Sequence, residues 1–290
     1  MRLEKNSPCK VNLLLNILGR RADGFHELET ILYPVKVCDQ LTFARRSHGV
    51  ELTCSDANLP ADSQNLAHRA ATTFLQAAKI SEGVKIHLEK KIPLAAGLGG
   101  GSGNAATTLL ALNELFNQPL APARLSELAA SLGSDVPFFL QNQPALATGR
   151  GEKIQTLDVF PALRDKAFLL IHPGFGVSTA WAYQALARFP AAWPGRPGRA
   201  RELISSLQTD HWPAVADGFY NSLEAPVLEK YPVLALFQEF LRAQGALAAL
   251  MSGSGSTTFA IVENVSAGQT LAETFKARFG ETCWTAVVEI

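Results

Sequence analysis

The chain has 290 residues, 47% of them hydrophobic, and its 26 basic and 26 acidic side chains cancel to a formal charge of zero. That length and apolar content suffice for one large domain or two moderate ones with a substantial core. The zero balance argues against a general nucleic-acid binder, which carries a basic excess, so any polyphosphate has to be met locally. Cys9, Cys38, Cys54 and Cys283 show no CxxC spacing and no histidine at ligand spacing, which signals neither a zinc site nor a disulfide framework. The first residues lack a signal-peptide layout, and the apolar run from Val11 to Leu18 is broken by Asn12 and Asn16 and is too short to span a bilayer. A reduced, soluble, cytoplasmic protein is the expectation.

In chain order, residues 10–18 read as a buried strand. Turn chemistry follows at Gly19-Arg20-Arg21-Ala22-Asp23-Gly24. Shorter strands are expected at 28–36, 40–45 and 50–54. A helix over 65–78 would place Leu66, Ala70, Phe74 and Ala77 on one face. A strand at 84–89 leads into a glycine loop, and helices follow at about 104–116 and 122–132, the second stopping at Gly133. A strand at 145–149 runs into the tight turn Gly149-Arg150-Gly151-Glu152. A composition shift at Pro161-Ala162 marks a domain boundary, giving lobes 1–160 and 161–290. The second lobe reads as a strand at 167–172, a helix at 178–188, an Arg/Gly/Pro-rich loop at 190–199 and helices near 200–207, 212–218, 224–230 and 233–244. Strands near 247–251 and 257–262, a helix at 267–278 and a strand at 284–289 close the chain. There is no internal repeat, and the pattern is α+β in two lobes.

The stretch Pro93-Leu94-Ala95-Ala96-Gly97-Leu98-Gly99-Gly100-Gly101-Ser102-Gly103 carries the strongest chemical signal. Five of the seven residues 97–103 are glycine, between a strand and a helix. Glycine lets backbone N–H groups turn toward a ligand and lets that ligand approach closely. The following helix aims its positive dipole end at the same place, so the segment reads as an anion cradle for nucleotide phosphates. It is not a Walker A loop, because no lysine occurs between Lys91 and Lys153. Its position after several strands also fits a dinucleotide fingerprint poorly.

Three further segments matter. In Ser7-Pro8-Cys9-Lys10-Val11-Asn12, Lys10 and Asn12 share strand parity and point to one face. There Lys10 is either a phosphate partner or a solvated strand end. In Gly133-Ser134-Asp135-Val136-Pro137, the carboxylate of Asp135 is either a general base in a pocket or a helix N-cap. Pro137 fits a first helical position poorly in this reading. Ser252-Gly253-Ser254-Gly255-Ser256 is either a second backbone nest or a plain turn.

These pieces, in this order, resemble the GHMP small-molecule kinases. The resemblance covers nearly the whole chain through Ser7–Asn12, Pro93–Gly103 with Asn104-Ala105-Ala106, and Met251–Ser256. Arg20-Arg21-Ala22-Asp23-Gly24-Phe25-His26, Asn65-Leu66, Ser134–Pro137 and His172-Pro173-Gly174 narrow it to a branch acting on a cytidyl diphosphate alcohol. It implies a ribosomal-protein-S5-like N-terminal lobe and a ferredoxin-like C-terminal lobe. It also implies ATP with Mg²⁺, and phosphorylation of a 2-hydroxyl in isoprenoid precursor synthesis. Lys10 and Asp135 match the family's catalytic pair. Asn65 and Pro93, Gly97, Leu98, Gly99, Gly100, Gly101, Ser102 and Gly103 match its ATP contacts. Asn12, Phe25, His26 and Tyr183 match its substrate contacts, with Trp181 as the alternative to Tyr183. Ser102 is the one metal candidate.

The sequence departs from the family's pattern in four places. Phe25 stands for an expected tyrosine, Tyr183 for a phenylalanine and Gly103 for a serine, and segment 190–200 is longer and richer in Pro and Arg. The implied partners are the small substrate, with no nucleic acid or membrane, in a monomer or homodimer. Rival readings are a homoserine- or mevalonate-type kinase of the same family and a non-catalytic nucleotide sensor.

Overall fold

The computed structural model describes residues 2–209 and 211–290. The elements in chain order are β1 (Arg2–Arg20), β2 (His26–Arg46), β3 (Val50–Cys54), α1 (Leu66–Ala77), β4 (Gly83–Glu89), α2 (Gly100–Leu115) and α3 (Pro122–Leu132). A 3₁₀ turn at Pro137–Leu140 precedes β5 (Ala145–Gly149) and β6 (Lys153–Thr156). Then come β7 (Ala167–His172), α4 (Thr179–Leu186), α5 (Arg199–Leu207), α6 (Trp212–Gly218), β8 (Tyr220–Asn221), α7 (Glu224–Lys230) and α8 (Pro232–Ala243). The chain closes with β9 (Ala248–Met251), β10 (Thr258–Val262), α9 (Val265–Phe279) and β11 (Trp284–Glu289). The class is α+β, as the sequence pattern implies.

Two compact units interleave along the chain. The first holds Met1–Cys9, Val37–Ile92 and Gly99–Asn142; the second holds Lys10–Lys36, Pro93–Leu98 and Gln143–Ile290. In the first unit, the C-terminal half of β2 pairs antiparallel with β4 from Gln40 opposite Glu89 to Arg46 opposite Gly83, and β3 lies parallel to β4. Val84, Ile86 and Leu88 are buried while Lys85 and His87 are exposed, the period-2 pattern of a sheet with one wet face. α1 packs on α2 and α3.

The second unit carries a four-stranded antiparallel sheet in the order β11-β7-β10-β9. Numbered within the sheet this is 4-1-3-2, the ferredoxin-like split βαβ order. Every residue of β7 and β10 is buried. Phe237, Leu241, Leu271 and Phe275 of α8 and α9 share one apolar cluster with Leu169, Ile171, Ala260 and Val262 of the sheet. Phe168, next to Leu169 on β7 and therefore on the other face, meets Phe259 and Tyr33 edge-on. Strands buried on both sides read as unbroken apolar runs. Beside them, the N-terminal half of β2 pairs with β5, β5 with β6, and β8 lies parallel to β1 at Leu14 and Leu15.

Four local readings change. Residues 26–46 form one strand, not two, because nothing in Pro34–Asp39 breaks the extended run. α2 begins at Gly100, about four residues before the expected start, so the last glycines of the motif are helical. The buried stripe of α1 is Ala67, Ala70, Ala71, Phe74 and Leu75, with Leu66 and Ala77 at its margins. Pro137 does occupy the first helical positions of its 3₁₀ turn, with Val136 as cap. The strands β6 and β8 are too short to leave a sequence signal.

Candidate active site

In the first unit, α2 opens without a capping side chain. Its cap residue is Gly99 in the left-handed region (φ +68°), which carries no side chain to bond the first-turn N–H groups. Those groups and the helix dipole together favour an anion. Gly103 has no alternative: a Cβ there would lie 2.6 Å from the Pro8 carbonyl oxygen. Gly101 is different, since its nearest neighbour would be Leu66 Cδ1 at 3.7 Å. Ser102 sits on this first turn.

The start of α2 is fixed by Asp39, a fully buried carboxylate of β2. It accepts from the backbone N–H groups of Lys91 and Ile92 at 2.8 and 2.9 Å, from Asn104 Nδ2 at 2.9 Å, and from Lys90 Nζ. Asn104 also donates to Ser7 Oγ at 3.0 Å. Removing one partner of such a buried pair strands the other charge, at a cost of about 3–5 kcal/mol. Asn65 caps α1, its Oδ1 accepting from Ala67 N at 2.9 Å while its Nδ2 donates to the Pro60 carbonyl. Asp135 precedes the 3₁₀ turn capped by Val136, so it does not hold the N-cap position.

In the second unit, the Pro93–Leu98 segment meets the Ser252–Ser256 loop. Gly97 has φ +77°, and a Cβ on it would stand 2.1 Å from the Ser252 carbonyl oxygen. Ser252 Oγ donates to the Gly97 carbonyl oxygen at 3.0 Å, and Thr257 N donates to that of Ala96 at 3.2 Å. Lys10 is buried, with 3% of its surface exposed, which removes the solvated strand-end reading. Its Nζ donates to Asn12 Oδ1 at 2.5 Å and to the Gly97 carbonyl oxygen at 2.8 Å. Asn12 Nδ2 in turn donates to Thr30 Oγ1 at 2.9 Å. Gly253 leaves room for the ammonium, 3.2 Å from where its Cβ would be.

The turn between β1 and β2 presents Phe25, and His26 opens β2. Phe25 N donates to Asp23 Oδ1 at 3.1 Å, Arg21 N donates to the Phe25 carbonyl at 2.8 Å, and Arg21 pairs with Asp23 and Glu27. The ring of Phe25 remains 50% exposed. The His26 ring lies 5.0 Å from that of Tyr183 on α4, tilted by 47°. Burial, aided by the Arg20 charge, holds the His26 pKa below its ordinary value, so the ring is neutral at pH 7. Trp181 faces elsewhere, against Tyr231 and under Lys230 Nζ at 4.0 Å. The 190–199 loop is tied down by two polar side chains. Asn16 Nδ2 donates to the Arg196 carbonyl at 2.7 Å and to Glu29 Oε1 at 2.9 Å, and Glu29 accepts from the N–H groups of Gly198 and Ala200.

Family models turn this geometry into an assignment. The model described as GHMP kinases N terminal domain matches residues 65–143, and that described as GHMP kinases C terminal matches residues 198–281. This chain belongs to the GHMP kinase family. Its curated relatives include the 4-diphosphocytidyl-2-C-methyl-D-erythritol kinase of Synechococcus sp. (strain JA-3-3Ab), 42% identical over 89% of this chain and 84% of the relative. The enzyme of that name from Citrifermentans bemidjiense (strain ATCC BAA-1014 / DSM 16622 / JCM 12645 / Bem) is 40% identical over 96% of each chain. A crystal structure of 4-(cytidine 5'-diphospho)-2C-methyl-D-erythritol kinase superposes with a TM-score of 0.82 at 36% identity, covering 99% of this chain and 100% of the other. As a GHMP kinase the chain takes ATP as its phosphoryl donor. No helix among the described residues is long and apolar enough to cross a membrane.

Sequence reasoning missed the residues that hold the GHMP kinase motifs in place. Asp39 left a signal, a carboxylate between the apolar runs Ile31–Val35 and Leu41–Phe43 of its strand. Asn221 left less: its Nδ2 donates to the carbonyls of Met251 and Gly253, both at 2.8 Å, and fixes the Ser252–Ser256 loop. Glu224 accepts from Met251 N at 2.8 Å behind the same loop.

Proposed function

We propose that this GHMP kinase transfers the γ-phosphoryl group of ATP to the 2-hydroxyl of 4-diphosphocytidyl-2-C-methyl-D-erythritol, in non-mevalonate isoprenoid precursor synthesis. Relatives at about 40% identity over most of the chain support the substrate. The observation that carries the site is the buried Lys10, whose ammonium is fixed by Asn12 and by the carbonyl of Gly97 in the glycine segment.

Phosphoryl transfer asks a protein for positioning and charge stabilisation rather than covalent work. In this reading the backbone N–H groups of residues 97–103 take the phosphate oxygens, with Pro93 shaping the entry to the loop and Asn65 contacting the nucleotide. Asp135 accepts the proton of the 2-hydroxyl as it attacks. Lys10 orients the reacting groups and offsets negative charge in the transition state. Asn12 fixes Lys10 and lies toward the alcohol. Phe25 and Tyr183 stack on cytosine, and the neutral ring of His26 both donates and accepts along the base edge. Mg²⁺, bound with ATP, supplies charge neutralisation at the phosphates. Such an ion keeps mostly water and phosphate ligands, which a single hydroxyl from Ser102 on the uncapped first turn of α2 suits.

The lobes then divide as 1–160 for ATP and catalysis and 161–290 for the C-terminal half, in a cytoplasmic monomer or homodimer. The test is ADP release by the purified protein with 4-diphosphocytidyl-2-C-methyl-D-erythritol, homoserine and mevalonate as acceptors. Turnover with the cytidyl acceptor alone is expected. Turnover with homoserine or mevalonate in its place overturns the substrate, and no turnover with any acceptor favours a sensor.

A further inference from the structure

We propose that Arg150 is a specificity-determining residue for the nucleobase end of the substrate, positioning the ring of Phe25. The proposal rests on the cytidyl reading above. Phe25 stands half exposed at the tip of a polar turn, where a large apolar ring gains nothing from the solvent it faces. Its backbone is pinned by Asp23 and Arg21. Its ring carries no hydroxyl, so no hydrogen bond can fix its orientation.

What the ring does have is Arg150. The guanidinium carbon lies 4.5 Å from the ring centroid, over the face. Strand register brings the two together: Leu28 of β2 is paired with Gly149 of β5, so the Gly149–Glu152 turn lies beside the start of β2. The turn itself is built to hold the arginine. Gly149 has φ +74°, and a Cβ there would stand 2.8 Å from Glu152 Oε1, so only glycine lets that carboxylate fold back. Glu152 Oε2 accepts from Arg150 N at 2.7 Å and lies 4.0 Å from Arg150 Nε. One carboxylate thus holds both the backbone and the charged head of Arg150.

A guanidinium is a planar, weakly hydrated cation that stacks on aromatic faces, which a lysine ammonium does less well. With one face of Phe25 against this plate, the exposed remainder is offered to a flat base. A ring ordered before the ligand arrives loses less freedom on binding. Arg21, in the turn that carries Phe25, is committed to Asp23 and Glu27.

The test is steady-state kinetics on Arg150→Gln, Arg150→Lys, Phe25→Ala and the double variant Arg150→Gln/Phe25→Ala, with thermal midpoints measured alongside. Arg150→Gln is expected to raise KM for the cytidyl substrate about two- to fivefold, the strength of an exposed cation–π contact. The kcat and the KM for ATP should hold, and Arg150→Lys should recover part of the loss. In the Phe25→Ala background the Arg150→Gln change should add nothing further. An unchanged or lower KM in Arg150→Gln overturns the inference, and so does an equal effect with and without the Phe25 ring. A fall in thermal midpoint that accounts for the loss overturns it too. If Phe25→Ala itself leaves KM for the cytidyl substrate unchanged, it is the cytosine reading that fails.

Discussion

Gly97 and Ser252, 155 positions apart, are packed together: the Ser252 hydroxyl donates to the Gly97 carbonyl oxygen at 3.0 Å, and the Ser252 carbonyl fills the space where a Gly97 Cβ would be. Lys10 Nζ donates to the same Gly97 carbonyl at 2.8 Å. Segments from three distant parts of the chain therefore share one carbonyl oxygen within the second unit. The glycines of the motif are consequently not equivalent. Gly97 is required by packing and by a positive φ, whereas a Cβ at Gly101 would meet only Leu66 Cδ1 at van der Waals distance.

That difference separates a folding role from a ligand role. Gly97→Ala is expected to destabilise the protein by at least ~1–3 kcal/mol, the scale of a strained backbone position, and to disturb Lys10. Gly101→Val should fold normally, since its Cβ meets only Leu66 Cδ1 at van der Waals distance. Its bulk would instead project where phosphate is placed, raising KM for ATP by about tenfold or more. Urea unfolding and titration calorimetry with ATP check both. Normal ATP affinity in a folded Gly101→Val protein would place the phosphates elsewhere.

Lys10 and Asp135 are expected to fail in different ways. Asp135→Asn keeps shape and loses the proton acceptor, so kcat should fall by ~10²–10⁴ while substrate affinity stays within several-fold. Lys10→Met should lower kcat and kcat/KM together, the pattern of an interaction made in the transition state. Retained kcat in Asp135→Asn, or a rise in KM alone for Lys10→Met, contradicts the assigned role.

Much of this was legible in the sequence. Periodicity located β4, α3, β5 and β7 closely, because each is bounded by glycine, proline or a polar turn. The helical start of α2 was not, since glycine is a poor helix former and only the Pro8 carbonyl, 2.6 Å from a Gly103 Cβ, shows why it is there. Motif order pointed to Lys10 and Asp135, and strand parity to Asn12 beside Lys10, but the residues that brace the motifs were invisible. Asp39, Asn221 and Glu29 act through partners 30 to 171 residues away, a distance at which one sequence carries no pairing signal.

Cytosine recognition is testable at His26, because burial keeps its ring neutral. A His whose folded pKa is depressed contributes stability above its unfolded value, about 6.5, and loses it as pH falls through the folded value. The neutral ring is also the form that can both accept and donate toward a base. As pH falls through that lowered folded value, kcat/KM for the cytidyl substrate should fall, with KM for ATP unaffected. His26→Asn should abolish that part of the acid limb. Phe25→Ala and Tyr183→Ala should each raise KM for the cytidyl substrate roughly ten- to a hundredfold, as loss of a base stack of ~1–3 kcal/mol requires. Normal binding by both alanine variants sinks the stacking claim.

Glu224 supplies a test of the support behind the Ser252–Ser256 loop. Its Oε1 accepts from Met251 N at 2.8 Å and Gln238 Nε2 at 2.6 Å, while Arg242 donates to Gln238 Oε1 and to the Ala249 carbonyl. Burial pushes the Glu224 pKa up, against the opposing pull of the Met251 N–H, Gln238 and the Arg242 charge. A carboxyl whose folded pKa is raised contributes stability that is fully present below its unfolded value, about 4.3. That contribution is lost as pH rises through the folded value. At neutral pH the wild type therefore carries a deficit that a neutral side chain does not. Glu224→Gln keeps an oxygen for the Met251 N–H and does not titrate. Its unfolding free energy relative to wild type should climb as pH rises from about 4.3 through the raised folded value, with kcat/KM close to wild type because the loop keeps its bond. Urea unfolding of both proteins at several pH values reads this directly. A relative stability that falls with pH would mean that the Arg242 charge outweighs burial, and that the ionised carboxylate is what holds the loop.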